Sequence, residues 1–582
     1  MSQKSLIIKW RVYFLLGVFL CFGLLLIARL YFLQIINHEY YLSRADKQHL
    51  KTGSNFFDRG NIYFSSKDGS KIAAATLKDG YKIIINPSVI ENPDEVFNNL
   101  NNLVEIDEAD FLHKVSKTGD PYEELATRVQ SEIAMQILDK DITGVSLLRE
   151  KWRFYPGQNL AAHVVGFMAF SEDDLLGQYG LERQYEELLN RKGKKFFSNF
   201  FVEIFSNIKS TIFEGNSPKG SVVTTIEPTV QSMLESELTN LSEKFNSKMS
   251  GGIIMDPHTG EIISMALDPN FNLNEFNLVD DSAIYKNHMV ESVYEMGSIM
   301  KPFTVAIGLD TGAIREETTY DDKGFKTLNG STISNYDKKA RGVVDMQQVL
   351  SQSLNVGASF IVDQVGNKVF ADYMKKLFAE KTKIDLPNES QSLLSNLDSA
   401  NDIEYATASY GQGIAMSPIS ITRALAALGN GGYLVEPHLV KEIEYENGFS
   451  KTIEKDNKVQ IFKADTSERI SRMLVRVVDE ALAGGDLALK NYSVAAKTGT
   501  AQIASGDGKG YYDDKYLHSF FGYFPAYDPK FIVFLYTIEP KGVQYASETL
   551  TDPFMAIVKF LINYYEVEPD RFLNFDESPI ND

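Results

Sequence analysis

The sequence predicts an α+β fold whose C-terminal part rests on one antiparallel sheet closed by its first and last segments, and three observations lead there. GGIIMD and EIISMAL flank PHTG, the pattern of a β-hairpin with strands at 252–256 and 261–266. Far downstream, SVAAKTGTAQI (493–503), HSFFGYFP (518–525) and FIVFLYTIE (531–539) are three further strand-like runs. The long stretch between the two groups carries helical signatures instead, among them DMQQVLSQSLNVGASFIVDQV (345–365) and SPISITRALAALGN (417–430). Strands at both ends of a domain with helices between them imply a single antiparallel sheet.

The other elements follow along the chain. Val12 to Ala28 is a run of seventeen uncharged residues, followed after Arg29 by LYFLQII, and it approaches the length that spans a hydrocarbon core of about 30 Å. Lys4, Lys9 and Arg11 precede it, so the positive-inside tendency makes 1–11 a cytoplasmic tail, 12–35 a transmembrane anchor and the remainder extracytoplasmic. A cleaved signal peptide is the alternative, but the apolar run exceeds the usual length and no small-x-small site follows it. Residues 36–215 read as a mixed, mostly polar module, with a strand-like YKIIINP (81–87) and helix-like stretches around 94–115 and 122–140. A composition shift near 206–220 marks a boundary, leaving 216–582 as the C-terminal domain. That domain opens with VVTTIEPTVQSMLESELTNL (222–241), a short strand passing into an amphipathic helix with Pro228 in its first turn.

Composition bounds the function classes. A chain of 582 residues exceeds the size at which one core stops growing, about 250–300 residues, so more than one domain is expected. The 58 Lys and Arg are outnumbered by 78 Asp and Glu, giving a net charge of −20 without any basic tract, which speaks against a nucleic-acid partner. The one cysteine, Cys21, falls inside the anchor, so the exported part has no disulfide and rests on packing. The eight histidines are scattered, with no His-x-x-x-His or similar pair, so neither a metal nor another cofactor is expected.

Three short motifs carry candidate chemistry. Ser298-x-x-Lys301 stands in YEMGSIMKPFTVAIGL (294–309), and positions i and i+3 of a helix share a face, so the amine reaches the hydroxyl one turn earlier. Serine is a weak nucleophile until a base takes its proton, and lysine serves only when its pKa falls towards working pH. The motif alone is weak, because Ser206-Asn207-Ile208-Lys209 repeats it with no supporting context. Ser353-Leu354-Asn355, in a helical stretch, offers a second hydroxyl and an amide. Lys-Thr-Gly occurs at 51–53, 117–119 and 497–499. Only Lys497-Thr498-Gly499, with Thr500 following, continues an apolar strand, where glycine allows close backbone approach. It alone completes the order Ser-x-x-Lys, Ser-x-Asn, Lys-Thr-Gly.

That ordered triplet resembles the active site of the penicillin-recognising serine acyltransferases. RLYFLQIINHEYY (29–41), RGNIYFSSKDG (59–69), RFYPGQNLAAHVVGF (153–167) and YGLERQYEELL (179–189) resemble the N-terminal module of class B penicillin-binding proteins, the monofunctional transpeptidases. No glycosyltransferase module precedes these stretches. One departure stands out: the family usually reads Arg-Gly-x-Ile-x-Asp-Arg-x-Gly, and here Phe64-Ser65 replaces the Asp-Arg pair, leaving the packing of that loop open. YGQGIAMSPISITRALAALGNGG (410–432) and HSFFGYFPAYDPKFIVFLYTIEPKG (518–542) are similar to the division-type, FtsI-like branch, including its spore-cortex members, with the elongation type as the alternative.

The resemblance implies an elongated pedestal over 36–215 and a transpeptidase domain with a five-stranded antiparallel sheet flanked by helices, plus an all-helical subdomain. It implies Ser298 as nucleophile, Lys301 as base and Ser353 as relay of the leaving-group proton, with Lys497 as neighbouring positive charge. Asn355 would bind the peptide, Thr498 and Thr500 its terminal carboxylate, Gly499 would allow the strand approach, and the N–H groups of Ser298 and Thr500 would form the oxyanion hole. The implied partners are peptidoglycan stem peptides, β-lactams as covalent inhibitors, a SEDS-type glycosyltransferase and divisome proteins. A carboxypeptidase or serine β-lactamase shares the triad but transfers to water. The polar SGDGKGYYDDKY (505–516) reads as a loop between two strands, with either a role in admitting the acceptor or none.

Overall fold

The computed structural model describes residues 58–171, 174–191, 219–455, 457–505 and 510–571, together with Leu20, Phe22 and Gly23. The expected anchor at 12–35 lies outside the described residues except for those three, which are helical, and so do Lys51-Thr52-Gly53 and Ser206-x-x-Lys209. Among the described residues no helix is long and apolar enough to cross a membrane.

Two compact units emerge, one holding Lys78–Trp152 and the other Arg59–Leu77 with Arg153–Asp582. This division differs from a boundary at 215/216. The reason lies in long-range packing: Ile62, Ala75, Tyr155, Val164 and Leu181 share one core with Val222 and Met265. Phe64, standing where the family has Asp, joins the same core. Beneath it Glu182, itself fully buried, accepts from Arg59 at 2.7 Å and from Arg153 at 2.6 Å.

Within the smaller unit, helices Pro93–Asn101, Glu108–Val115 and Ser131–Asp139 cover strand residues Ile83 and Ile85 through Val96, Leu100, Phe111, Val115, Ala134 and Ile137. The helix expected over 122–140 is confined to Ser131–Asp139, because Glu123–Val129 is drawn into a strand opposite Tyr81–Ile85. The Lys117 copy of Lys-Thr-Gly follows the Glu108–Val115 helix; its lysine pairs with Glu123 at 2.8 Å and its glycine faces open space.

In the larger unit, β1 (Ile62–Ser65) runs parallel to β2 (Gly220–Thr224), which pairs antiparallel with Val440–Tyr445. Helix α1 (Pro228–Phe245) follows, with Pro228 at its start and the Glu227 carboxylate accepting from Val230 N–H. The hairpin strands are β3 (Met249–Met255) and β4 (Ile262–Asp268). Helical segments come next: α2 (Lys301–Thr311), α3 (Met346–Ser351) and α4 (Asn355–Val365). The chain then returns to the sheet as β5 (Ala495–Ala504), β6 (Tyr511–Phe524) and β7 (Phe531–Ile538), and ends in α5 (Thr551–Tyr565). The five strands lie in the order β5-β6-β7-β3-β4, so the first and last segments do meet and β5 forms an edge. Strand β6 begins earlier than expected: Tyr511 pairs with Ala504 and Tyr516 with Gln502, so much of 505–516 is strand.

Both faces of this sheet are covered, which is why its strands read as continuous apolar runs rather than alternating ones. Ile254, Phe520, Val533 and Leu535 pack against Leu234 and Leu238 of α1 and Phe554, Ile557 and Leu561 of α5. Their neighbours Ile253, Phe521, Phe534 and Tyr536 point the other way, into the core that holds Ile299, Met300 and Phe303. The nucleophile segment is thereby pressed onto the second face of the sheet.

Candidate active site

Ser298 lies in a single 3-10 turn, Gly297–Met300, that runs straight into α2 with Lys301 as its first residue and Pro302 next. Ile299, Met300 and Phe303 are fully buried around it, and Lys301 itself has no exposed surface. An ammonium cannot be held there cheaply, so burial, reinforced by the charge of Lys497, drives the Lys301 pKa well below the usual lysine value. Lys301 Nζ lies 2.9 Å from Ser298 Oγ and 3.0 Å from Ser353 Oγ, and donates to Ser353 O at 2.7 Å.

Both oxygens of Ser353 reach the lysine because the helix breaks there. Residues 352–354 separate α3 from α4, and Ser353 has φ 54°, left-handed and uncommon for a residue with a side chain. A Ser-x-Asn carried within one helix, as the sequence pattern implies, could not turn both its carbonyl and its hydroxyl onto one amine. Asn355, at the start of α4, donates from Nδ2 to Ser334 O at 2.9 Å, and its amide oxygen accepts nothing among the described residues.

Strand β5 supplies the opposite wall. Lys497, 3 % exposed, places Nζ 3.3 Å from Ser353 Oγ and 3.0 Å from Thr498 O; burial lowers its pKa to about 8. Ser353 Oγ therefore sits between two amines. The protein's own packing requires Gly499: a Cβ there would lie 2.5 Å from Ser519 Oγ and 2.7 Å from Met296 O. Thr498 and Thr500 are half-buried, on the alternate side of the strand, and Thr500 Oγ1 accepts Ala546 N–H at 3.0 Å.

Ser298, Lys301, Ser353 and Lys497 thus meet through direct contacts, and the backbone of Gly499 and Thr500 lies against the Ser298 turn, while Asn355 and Thr498 stand beside them as chain neighbours of Ser353 and Lys497. Glu295, Gly411, Gly413 and Ser519, which hold the Ser298 segment from behind, escape sequence reasoning because their bonds join distant parts of the chain. Only the adjacency of Glu295 to Ser298 in YEMGS could have flagged one of them.

Residues 251–559 match the family described as the penicillin binding protein transpeptidase domain. The chain belongs to this penicillin-binding transpeptidase family. Residues 57–225 match the penicillin-binding protein dimerisation domain. Stage V sporulation protein D of Bacillus subtilis (strain 168) is 28% identical over 565 residues, covering 95% of this chain and 85% of its own. The peptidoglycan D,D-transpeptidase FtsI of Escherichia coli (strain K12) is 25% identical over 595 residues, covering 99% and 95%. Penicillin binding protein 2X from Streptococcus thermophilus, a solved structure, shares the fold with a TM-score of 0.71 at 21% identity, over 88% of this chain and 80% of that one. As a member of the penicillin-binding transpeptidases the chain is an acyl-transferring enzyme, and every candidate residue from Ser298 to Thr500 lies inside the first matched segment.

Proposed function

We propose that the chain cross-links peptidoglycan stem peptides as a serine D,D-transpeptidase, and that the contact of Lys301 with both serines carries this reading. Neutral Lys301 takes the Ser298 proton as Oγ attacks the carbonyl of the penultimate D-alanine. The developing oxyanion is received by the N–H groups of Ser298 and Thr500, each such donor being worth about 3–4 kcal/mol. Collapse breaks the amide; the proton passes from Lys301 through Ser353 Oγ to the departing D-alanine, leaving an ester on Ser298 and a neutral lysine. An amine from a second stem peptide then attacks the ester, gives up its proton by the same route in reverse, and releases Ser298. Protonated Lys497 keeps positive charge beside Ser353 and favours the substrate carboxylate, held by Thr498 and Thr500. Asn355 binds the donor peptide, to which its amide oxygen is open. A β-lactam presents the same amide and stops at the acyl-enzyme.

Residues 12–35 anchor the chain in the plasma membrane with the N-terminus cytoplasmic and the catalytic unit outside, as seventeen uncharged residues after Lys4, Lys9 and Arg11 support. The 36–215 module serves as pedestal and docks a SEDS-type polymerase and divisome proteins. Similarity to FtsI and to a sporulation protein favours septal over elongation synthesis. Labelling with a fluorescent penicillin tests the chemistry: the wild type retains a covalent label and Ser298→Ala does not. An unlabelled wild type sinks the reading, and rapid loss of the label identifies a hydrolase instead. Depletion in cells separates the roles, filaments meaning division and rounded cells elongation.

A further inference from the structure

The segment that delivers Ser298 is held at four points. Tyr294 exchanges backbone hydrogen bonds with Met416 at 3.0 and 3.1 Å. Ser519 Oγ donates to Met296 O at 2.9 Å, and Gly297 N–H donates to Gly411 O at 3.1 Å. The fourth tie is a side chain: Glu295 Oε1 accepts Gly413 N–H at 3.0 Å and Tyr511 O–H at 3.1 Å. Its other oxygen, Oε2, is shut off from solvent and has no hydrogen-bond partner among the described residues.

A buried carboxyl with one oxygen unmet is expensive to keep, since an unsatisfied polar group costs about 1–3 kcal/mol. Burial raises the Glu295 pKa, and burial together with Glu295 raises that of Tyr511, whose hydroxyl accordingly stays protonated and donates. The three segments joined at Glu295 are informative. One carries Ser298 three residues on. The second, 410–413, packs so closely on the first that a Cβ on Gly411 would lie 2.2 Å from Gly297 O. The third is the start of β6, where Tyr511 pairs with Ala504 of the strand that bears Lys497 and Thr500. Glu295 therefore spans the two walls of the cleft from behind.

We propose that Glu295 is a positioning residue for acyl transfer: by accepting from Gly413 and Tyr511 at once, it locks the Ser298 segment to the β5–β6 pair and sets the nucleophile against Thr500. The inference rests on Ser298 being the nucleophile, and Glu295 itself touches neither the base nor the substrate. What the role needs is one acceptor oxygen facing two donors. Glutamine preserves that oxygen, alanine removes it, and Tyr511→Phe withdraws one donor.

The test uses the purified full chain in detergent, reading the second-order rate of labelling by a fluorescent penicillin beside thermal unfolding. Wild type against Ser298→Ala tests the functional reading alone; the ratios among the Glu295 and Tyr511 variants test this one. A displaced reacting group costs about 10²-fold per ångström, so Glu295→Ala is expected to label roughly 30- to 100-fold more slowly. Glu295→Gln should stay within about fivefold of wild type and Tyr511→Phe should slow about three- to tenfold, both melting within a few degrees of it. Wild-type labelling by Glu295→Ala overturns the proposal, as does Glu295→Gln being as slow as Glu295→Ala, which would make charge the requirement. Should Glu295→Ala not fold, Glu295→Gln and Tyr511→Phe decide: a slowed phenylalanine variant beside a near-normal glutamine variant supports the lock, and an unslowed one refutes it.

Discussion

Gly297→Ala perturbs the cleft without removing any reacting side chain. Gly297 has φ 63°, a left-handed conformation that costs a residue bearing a Cβ about 1–2 kcal/mol. The added carbon would lie 2.6 Å from Thr500 O, 2.8 Å from Thr500 C and 3.1 Å from Ala501 N, where ordinary contact begins near 3.4 Å. The Ser298 turn and β5 must therefore part by roughly 0.8 Å, and because all three obstacles are backbone, no rotamer change relieves them. That displacement acts on the two N–H groups assigned to the oxyanion. Misplacement by about an ångström costs about 10²-fold and loss of one oxyanion donor about 10²- to 10³-fold, so acylation should fall by about two to three orders of magnitude. Stability should fall by about 2–5 kcal/mol, the left-handed backbone and the overpacking together, several degrees in Tm. Stopped-flow acylation by a chromogenic β-lactam and a thermal melt measure both. A folded Gly297→Ala that acylates at the wild-type rate would show that the Ser298–Thr500 spacing does not set the barrier, and the oxyanion assignment would fall.

Acylation should rise with pH as Lys301, held well below the usual lysine value, loses its proton, and fall again near pH 8 as Lys497 loses its own, the two limbs belonging to the coupled pair; a profile with no rising limb before that fall contradicts a lysine base. Tyr336, two residues after the Ser334 carbonyl that holds Asn355, meets Tyr545, next to the Ala546 that holds Thr500, ring edge to face at 5.8 Å. That ring contact is worth up to about 0.5–1.5 kcal/mol, so Tyr336→Ala should lower the unfolding free energy by no more than that, and an unchanged denaturant midpoint would show that the exposed pair contributes nothing. Glu182→Ala leaves Arg153 buried without its carboxylate and Arg59 with Glu186 alone, an expected loss of about 3–5 kcal/mol in unfolding free energy; a denaturant midpoint unchanged at constant slope would mean that Arg153 finds another acceptor.

The strands of the catalytic sheet were legible because each is a short apolar run bounded by turn residues, and the triplet because its order is specific where no member is. Boundaries moved where pairing extends a strand into polar sequence, as at Tyr511–Tyr516, since a ladder needs only backbone. Glu123–Val129 was misjudged for the same reason: its partner lies forty residues upstream, opposite Tyr81–Ile85, and nothing local announces it. Within the site, the side chains could be named in advance, whereas their presentation could not. The left-handed turn at Ser353 is closed locally by Leu354 N–H to Val349 O and held from outside by the lysine on its carbonyl. The glycine of Lys-Thr-Gly was expected to allow close backbone approach, and Met296 and Ser519 also require it, which only their long-range packing reveals.

The parallel pairing of Ile62–Ser65 with Gly220–Thr224 bears on how the molecule is made. A strand from the early part of the chain sits between Lys71–Ala75 and a strand that follows it much later, so the sheet has a high contact order and slow closure is expected. Synthesis delivers β1 first, and it must wait, unpaired on one side, until β2 arrives. A fragment beginning at residue 216 would retain the whole catalytic cleft yet expose the bare edge of β2, whose five residues are all buried in the intact unit. Such an edge is a template for aggregation, so supplying residues 59–77 and 153–191 in trans should improve the solubility of that fragment.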